Sequence, residues 1–368
     1  MTAAAIPDVV RASVFVAPGK PLELRSFPRP SLAAGEALVK VTCCALCGSD
    51  LHTYLGKRHG PTPSVLGHEV LGRIAAFGPG EPPRDGHGNA LGIGDRVSWS
   101  VAASCGDCFF CLHDLPQKCV RLFKYGHESC CGERPLSGGM AEYCQLAPGT
   151  AIFRVPDNIP DTIASSANCA TATVAAALRT AGGSRGKTIL IQGAGLLGLT
   201  AAAIARVEKA ERVIVTDVDP QRLATAKRFG ADDAVDVLKE PDALPDILRV
   251  GTDGRGADLI LEMSGAADAI RQGLPLLRTG GQYVFVGAVK PIGTIQLDPE
   301  QVVRRMCNIS GVHNYAPIDL ATAIEFLAAH WDRFPFAEIV GDEFSLDQSE
   351  AAFRQMLATG AVRVAVRP

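Results

Sequence analysis

The chain carries no surplus of charge of one sign: 36 basic and 39 acidic residues are spread along 368 positions, for a formal net charge of −3. Without a basic patch, nothing announces nucleic acid or an anionic membrane surface, and a small-molecule partner fits better. No apolar run approaches the roughly 18 residues that a membrane-spanning helix needs. The amino terminus, Met1-Thr-Ala-Ala-Ala-Ile-Pro-Asp8, lacks both the basic region and the apolar stretch of a secretory signal. A cytoplasmic protein is therefore expected, with neither nucleic acid nor membrane as partner. Internal repeats and low-complexity segments are also absent.

Cysteine, by contrast, is plentiful. Twelve occur, and in a small secreted domain they would imply disulfides. Several cluster here at two-residue gaps in a large chain, which reads better as metal binding. With 47% hydrophobic residues over 368 positions, the chain exceeds the size at which a single core usually stops growing, so two domains are expected.

Short β-like runs separated by Pro and Gly fill the first 160 or so residues, among them Ser13–Val16, Ala37–Val41 and Val70–Ile74. From about Ser165 the pattern becomes Ala-rich helices alternating with strands at Thr188–Gln192, Arg212–Thr216, Ala257–Leu261 and Gln282–Val286. Such alternation indicates a parallel α/β sheet. Helices near Asp319–His330 and Gln348–Ala358 and a strand at Val362–Val366 form a tail that is expected to rejoin the first domain. The expected division is residues 1–165 with 313–368, and residues 166–312. Gly78–Gly94, rich in Pro and Gly, reads as a surface excursion.

Strand Thr188–Gln192 runs into Gly193-Ala-Gly195-Leu196-Leu197-Gly198 and then a helix. In that context the three glycines serve a tight turn, close approach to a pyrophosphate, and close packing of helix on strand. Alone the pattern is weak. Its force comes from Asp217, 19 residues beyond Gly198 at the end of the next strand, where a carboxylate binds ribose hydroxyls and repels a 2′-phosphate. NAD is favoured over NADP, although Arg222 is placed to reach the adenosine ribose or such a phosphate.

Cys105, Cys108, Cys111 and Cys119 are spaced by two, two and seven residues, enough to close a tetrahedral thiolate cage around zinc with no open position. An iron–sulfur run would place its last Cys closer and follow it with Pro. A second zinc site, with an open position for substrate, is expected from Cys47 and His68. Cys169 is the leading third ligand, though a lone cysteine is more often a small buried apolar group. Glu69 competes for that position or tunes the zinc without staying bound, and Asp50 is placed to accept a hydrogen bond from the ligand histidine.

Together, Cys47-x-Ser-Asp, Gly67-His-Glu, the four-cysteine lobe, the Gly193 loop with Asp217, and Val362-Arg-Val resemble the medium-chain zinc-dependent alcohol dehydrogenase family along nearly the whole chain. The resemblance implies a mostly-β GroES-like catalytic domain beside a Rossmann doubly wound coenzyme domain. It implies Cys47, His68 and Cys169 on a catalytic zinc and the lobe cysteines on a structural one. It also implies a relay in which Ser49 bonds the substrate oxygen and a proton passes through the nicotinamide ribose to His52. Val286, Gly287 and Ala288 would flank the nicotinamide amide, and Arg363 would reach the pyrophosphate. A homodimer or homotetramer is implied as well.

Two departures stand out: Gly48 replaces a basic phosphate contact of some relatives, and the Gly78–Gly94 loop is longer than the usual turn. The expected chemistry is hydride transfer between an alcohol or carbonyl compound and NAD, with the alkoxide formed on zinc. His52 suits a proton shuttle, since the unperturbed histidine value of about 6.5 lies near neutral pH. Lys57-Arg58-His59 and Lys124-Tyr125-Gly-His127 read as solvated basic turns or as recognition of an anionic substrate. Lys124–Glu128, Pro135–Gly139 and Cys169–Val174 look like a subgroup associated with phosphonate catabolism, which would make a hydroxyalkylphosphonate the substrate. A zinc-free quinone or enone reductase, or a non-catalytic nucleotide-binding relative, would have little reason to keep Cys47, His68, the lobe, Ser49 and His52 together.

Overall fold

The computed structural model describes residues 6–368, which divide into one unit of residues up to Ala172 with Ala316–Pro368, and a second of Thr173–Tyr315. These boundaries fall a few residues after the positions expected from sequence.

The first unit is mostly β. Ala37–Leu46 is its central strand, with nearly every side chain buried. It pairs antiparallel with Glu69–Phe77, with Tyr143–Leu146 and with the terminal strand Arg363–Arg367, whose other neighbour is Val340–Ser345. The tail thus returns to this unit. Val364 pairs with Leu46 and Ala45 with Glu69, so the start of the terminal strand lies one strand away from the start of Glu69–Phe77. Side chains such as Val39, Leu46, Val70, Trp99, Phe353 and Val364 form one apolar cluster, whose removal from water is the main driving force for this unit.

The Gly78–Gly94 segment is more than an excursion. Its Asp85 is 6% exposed and accepts hydrogen bonds from the backbone N–H of His87 (3.0 Å) and Asn89 (2.8 Å). Gly86 lies where a Cβ would meet the Phe153 ring at 2.1 Å, so the middle of the loop is anchored to the sheet.

The second unit is a six-stranded parallel sheet in the order Asp233–Asp236, Arg212–Asp217, Thr188–Gln192, Ala257–Glu262, Leu277–Phe285, Asn308–Gly311. All five residues of Thr188–Gln192 are buried, as expected for a central strand covered by helices on both faces. The helix that follows, Leu196–Val207, presents Ala201, Ala202, Ala203 and Ala205 fully buried, and their small side chains permit close packing on the sheet. Strand order reverses between Thr188–Gln192 and Ala257–Glu262, the switch point at which such sheets bind ligands. Among the described residues, no helix is long and apolar enough to cross a membrane.

Candidate functional site

In the first unit the helix Gly48–Tyr54 begins immediately after Cys47, and one carboxylate organises that start. Asp50 Oδ2 accepts from the Cys47 backbone N–H at 2.9 Å, while Oδ1 accepts from the Gly67 N–H at 3.2 Å and from His68 Nδ1 at 3.0 Å. Asp50 is 2% exposed. Its bond to Nδ1 makes that nitrogen a donor and turns Nε2 into the cluster, where it can bind a metal once it has lost its proton. That Nε2 lies 3.3 Å from Ser49 Oγ and 3.4 Å from Cys169 Sγ.

Cys169 comes from a distant segment, a single π-helical turn at Ala167–Thr171. Such turns interrupt the α-helical ladder and are frequent at functional sites. Asn168 is fully buried within it and accepts from the Val70 N–H at 3.3 Å while donating to the Trp99 carbonyl at 2.9 Å. The turn is thereby tied to the strand that follows His68.

The ligand atoms of Cys47, His68, Glu69 and Cys169 all lie within 4.8 Å of one another. Zinc with bonds of about 2.0–2.3 Å to nitrogen and sulfur needs ligand atoms roughly 3.5–3.8 Å apart, close to the 3.4 Å between Cys169 Sγ and His68 Nε2. Both atom types and spacing fit zinc.

Glu69 is fully buried and gripped by Arg363, whose Nε and Nη2 donate to its two oxygens at 2.7 Å each. Nη2 also lies 3.4 Å from Cys47 Sγ. Arg363, expected to reach the pyrophosphate, is instead turned inward, where its buried charge meets the Glu69 carboxylate and the Cys47 sulfur. The sequence signal was an arginine opening an apolar strand, which needs a counter-charge where it is buried.

Burial raises the Glu69 carboxyl, Arg363 opposes it and Cys47 adds to it, with the result near 7. Contact with Cys169, with help from Arg363 and His68, holds the Cys47 thiol well below its ordinary range against the opposing effect of burial. This favours the thiolate that binds metal.

Ser49 and His52 share one face of the short helix, three residues apart. The backbone N–H groups of Lys57 and Arg58 both donate to the His52 carbonyl, at 2.9 and 3.1 Å. Lys57 and His59 are exposed and Arg58 is half-buried. On another side, His127 places its ring centroid 5.3 Å from that of His68 and bonds the Tyr125 carbonyl through Nδ1 at 2.8 Å. Lys124 precedes it in a turn closed by the His127 N–H on the Lys124 carbonyl at 3.1 Å. Burial, then Arg58, depress the Lys124 ammonium to about 8, while Cys169 and Cys47 pull the other way.

The second cluster is the lobe of Cys105, Cys108, Cys111 and Cys119. Their sulfurs are separated by 3.3, 3.5, 3.9 and 3.9 Å along four edges. A regular zinc–thiolate tetrahedron has edges of about 3.8 Å, so the four sulfurs suit the ion. Backbone N–H groups of Cys105 and Arg121 point at Cys119 Sγ, each at 3.3 Å. Cys108 precedes the single helical turn Phe109–Leu112 and Cys111 lies within it, and among the described residues the metal-competent group at the lobe consists of these four cysteines.

In the second unit, Gly193 has φ +104°, a conformation that favours glycine, and Gly198 sits where a Cβ would meet the Gly193 carbonyl oxygen at 1.8 Å. A Cβ on Gly195 would meet nothing within 4 Å, which leaves room for a ligand at the helix start. Leu196 and Leu197 open that helix, the former buried and the latter half-buried.

Asp217 Oδ2 accepts from the Ala194 N–H at 2.6 Å, and Oδ1 from those of Val218 and Asp219 at 2.7 and 3.0 Å. The acid is thereby held against the glycine loop. Arg222 leans on Asp219 at 3.6 Å. Val286 and Gly287 donate to the Glu262 carbonyl at 3.0 and 2.8 Å, placing them with Ala288 just past the strand ends at the switch point.

Comparison with known proteins agrees with this architecture. Residues 33–157 match the alcohol dehydrogenase GroES-like domain, and residues 197–329 match the zinc-binding dehydrogenase domain. The chain is 30% identical over 357 residues to 5-exo-hydroxycamphor dehydrogenase of Pseudomonas putida, covering 96% of each chain. It is 31% identical to D-arabitol-phosphate dehydrogenase of Enterococcus avium over 341 residues, 92% of this chain and 91% of that one. A crystal structure of an alcohol dehydrogenase from Thermotoga maritima superposes with a TM-score of 0.90 at 29% identity, over 98% of this chain and 99% of that one. With both domains matched and similarity running nearly end to end, the chain belongs to the medium-chain zinc-dependent alcohol dehydrogenase family.

Proposed function

We propose that this chain is an NAD-linked dehydrogenase that interconverts an alcohol and its carbonyl compound, with one catalytic and one structural zinc. The observation that carries the reading is the convergence of Cys169 Sγ and Ser49 Oγ on Nε2 of His68, at 3.4 and 3.3 Å, beside Cys47. Cys47, His68 and Cys169 would hold zinc, which as a Lewis acid makes a substrate hydroxyl easier to deprotonate. Glu69 is engaged by Arg363, and this favours Cys169 as the third ligand.

Ser49 is the first acceptor of the hydroxyl proton, being adjacent to His68, and His52 on the same helical face delivers it towards solvent. Asp50 is a positioning residue that holds His68 in the ligating tautomer. The four-cysteine lobe stabilises its own loop, since a closed cage leaves no room for substrate. In the second unit the Gly193–Gly198 loop and Asp217 would bind NAD, with Val286, Gly287 and Ala288 near the nicotinamide. The hold of Asp219 on Arg222 favours NAD over NADP, because the guanidinium is already paired.

The substrate is read as a small alcohol or carbonyl compound, and more finely as one with an anionic group such as a hydroxyalkylphosphonate. The relative named for arabitol phosphate lends the finer reading support.

Metal analysis of the intact protein and of Cys47→Ala, paired with NAD turnover on neutral and phosphonate-bearing alcohols, tests the proposal. Two zincs should fall to one, with activity lost. A single zinc that survives the substitution would overturn the catalytic site.

A further inference from the structure

Among the described residues, neither Lys124 Nζ nor the Arg58 guanidinium forms an ion pair, although both side chains are only half-exposed. The nearest carboxylate in sequence, Glu128, is spent elsewhere: its Oε1 accepts from the Lys124 backbone N–H at 2.9 Å. A half-buried charge left unpaired costs free energy that an ion pair or a bound anion would offset.

Both cations are tied to the catalytic cluster by short backbone paths. Arg58 donates its N–H to the carbonyl of His52, on the helix that begins at Cys47 and carries Ser49. Lys124 closes the turn whose His127 ring contacts His68. Arg58 repels the Lys124 ammonium while the Cys47 and Cys169 sulfurs attract it, so these groups share one neighbourhood. His127, with Nδ1 donating to the Tyr125 carbonyl, presents Nε2 as an acceptor in its neutral form.

We infer that Lys124 and Arg58 form an anion subsite next to the metal cluster, which selects alcohols bearing a compact charged group, a carboxylate or a phosphonate, over neutral ones. The inference rests on the dehydrogenase reading and names the residues that choose its substrate. Lys124 contributes a point charge, and Arg58 a planar fork suited to two oxygens of one anion. The Nε2 of His127 accepts from a hydroxyl, including that of a singly protonated phosphonate.

The test uses the zinc-loaded full chain and its Lys124→Met, Lys124→Arg and Arg58→Met variants, with 2-hydroxyethylphosphonate, 3-hydroxypropanoate and 1-propanol as probes. The readout is the ratio of kcat/KM for each anionic alcohol to that for 1-propanol. This ratio should fall about tenfold or more in Lys124→Met, chiefly through KM, and recover in part in Lys124→Arg. The two anionic alcohols separate a carboxylate site from a phosphonate site. An unchanged ratio in both Met variants overturns the subsite, and so does an equal loss on all three probes, which would assign Lys124 to the metal or the cofactor.

Calorimetric titration of methylphosphonate and acetate reads the subsite without turnover. If no alcohol is oxidised, the dehydrogenase reading fails, yet binding of either anion that is lost in Lys124→Met still supports the subsite. Absence of binding of both anions to the intact protein overturns it.

Discussion

Arg363 holds Glu69 through both ends of its guanidinium, at 2.7 Å on each carboxylate oxygen, with the two side chains 8% and 0% exposed. The pair joins the last strand of the chain to the residue next to His68, and its third contact, at 3.4 Å, is Cys47 Sγ. The last few residues of the sequence thereby help set the charge around the metal ligands.

Removing one member of this pair strands a buried charge. Arg363→Met is expected to destabilise the protein by about 3–5 kcal/mol, read as a lower denaturation midpoint, while Glu69→Gln combined with Arg363→Met should recover part of that loss. An unchanged midpoint in the single variant would show that the pair contributes nothing.

Asp50 orients His68 and caps the chain at Cys47 and Gly67 with one carboxylate. Asp50→Asn should weaken metal binding at the Cys47–His68–Cys169 site by about 10- to 100-fold, measured by chelator competition. The lobe of Cys105 to Cys119 should keep its metal under the same conditions. Equal loss from both sites would point to unfolding, not to a role for Asp50.

In the proposed coenzyme site, Asp217, held by the Ala194 N–H, would set a negative charge where a 2′-phosphate would lie. Asp217→Ser should raise the ratio of kcat/KM for NADP to that for NAD by about tenfold or more, since a repulsive charge is removed along with an acceptor for the ribose hydroxyls. A ratio that does not move would place coenzyme discrimination elsewhere.

Lys124 supplies a pH signature. Burial and Arg58 lower its ammonium to about 8 from an ordinary value of 10.5, and the protonated form is the one that attracts an anion. Well below pH 8, by about pH 6, the preference for anionic over neutral alcohols should be complete. Above it the ratio of the two kcat/KM values should fall as the proton leaves. Binding of the anion shifts the midpoint upward, because a nearby negative charge stabilises the ammonium. A flat ratio between pH 6 and 10 would remove Lys124 from substrate recognition.

Much of this protein is local in sequence. The lobe cysteines lie within 15 residues, and the glycine loop lies between a strand and a helix that neighbour it in the chain. The spacing of these residues therefore already specifies their geometry, and the alternation of strand and helix specifies the parallel sheet.

The Cys47–His68–Cys169 centre is different. Its ligands span more than 120 residues, and Cys169 reaches His68 only because a π-helical turn is anchored by Asn168 to the strand after the histidine. No periodicity encodes that approach. Nor did sequence show that Arg363 faces inward, since the direction of a long charged side chain is decided by which buried partners the fold offers.

The types of ligand, the two metal-binding patterns and the coenzyme loop were thus determined by the sequence alone. The approach of Cys169 to His68, the Glu69–Arg363 pair and the unpaired state of Lys124 were decided only by tertiary structure. The physical reason is that burial and counter-charge are properties of the packed chain, set by residues hundreds of positions apart, and not of any short segment within it.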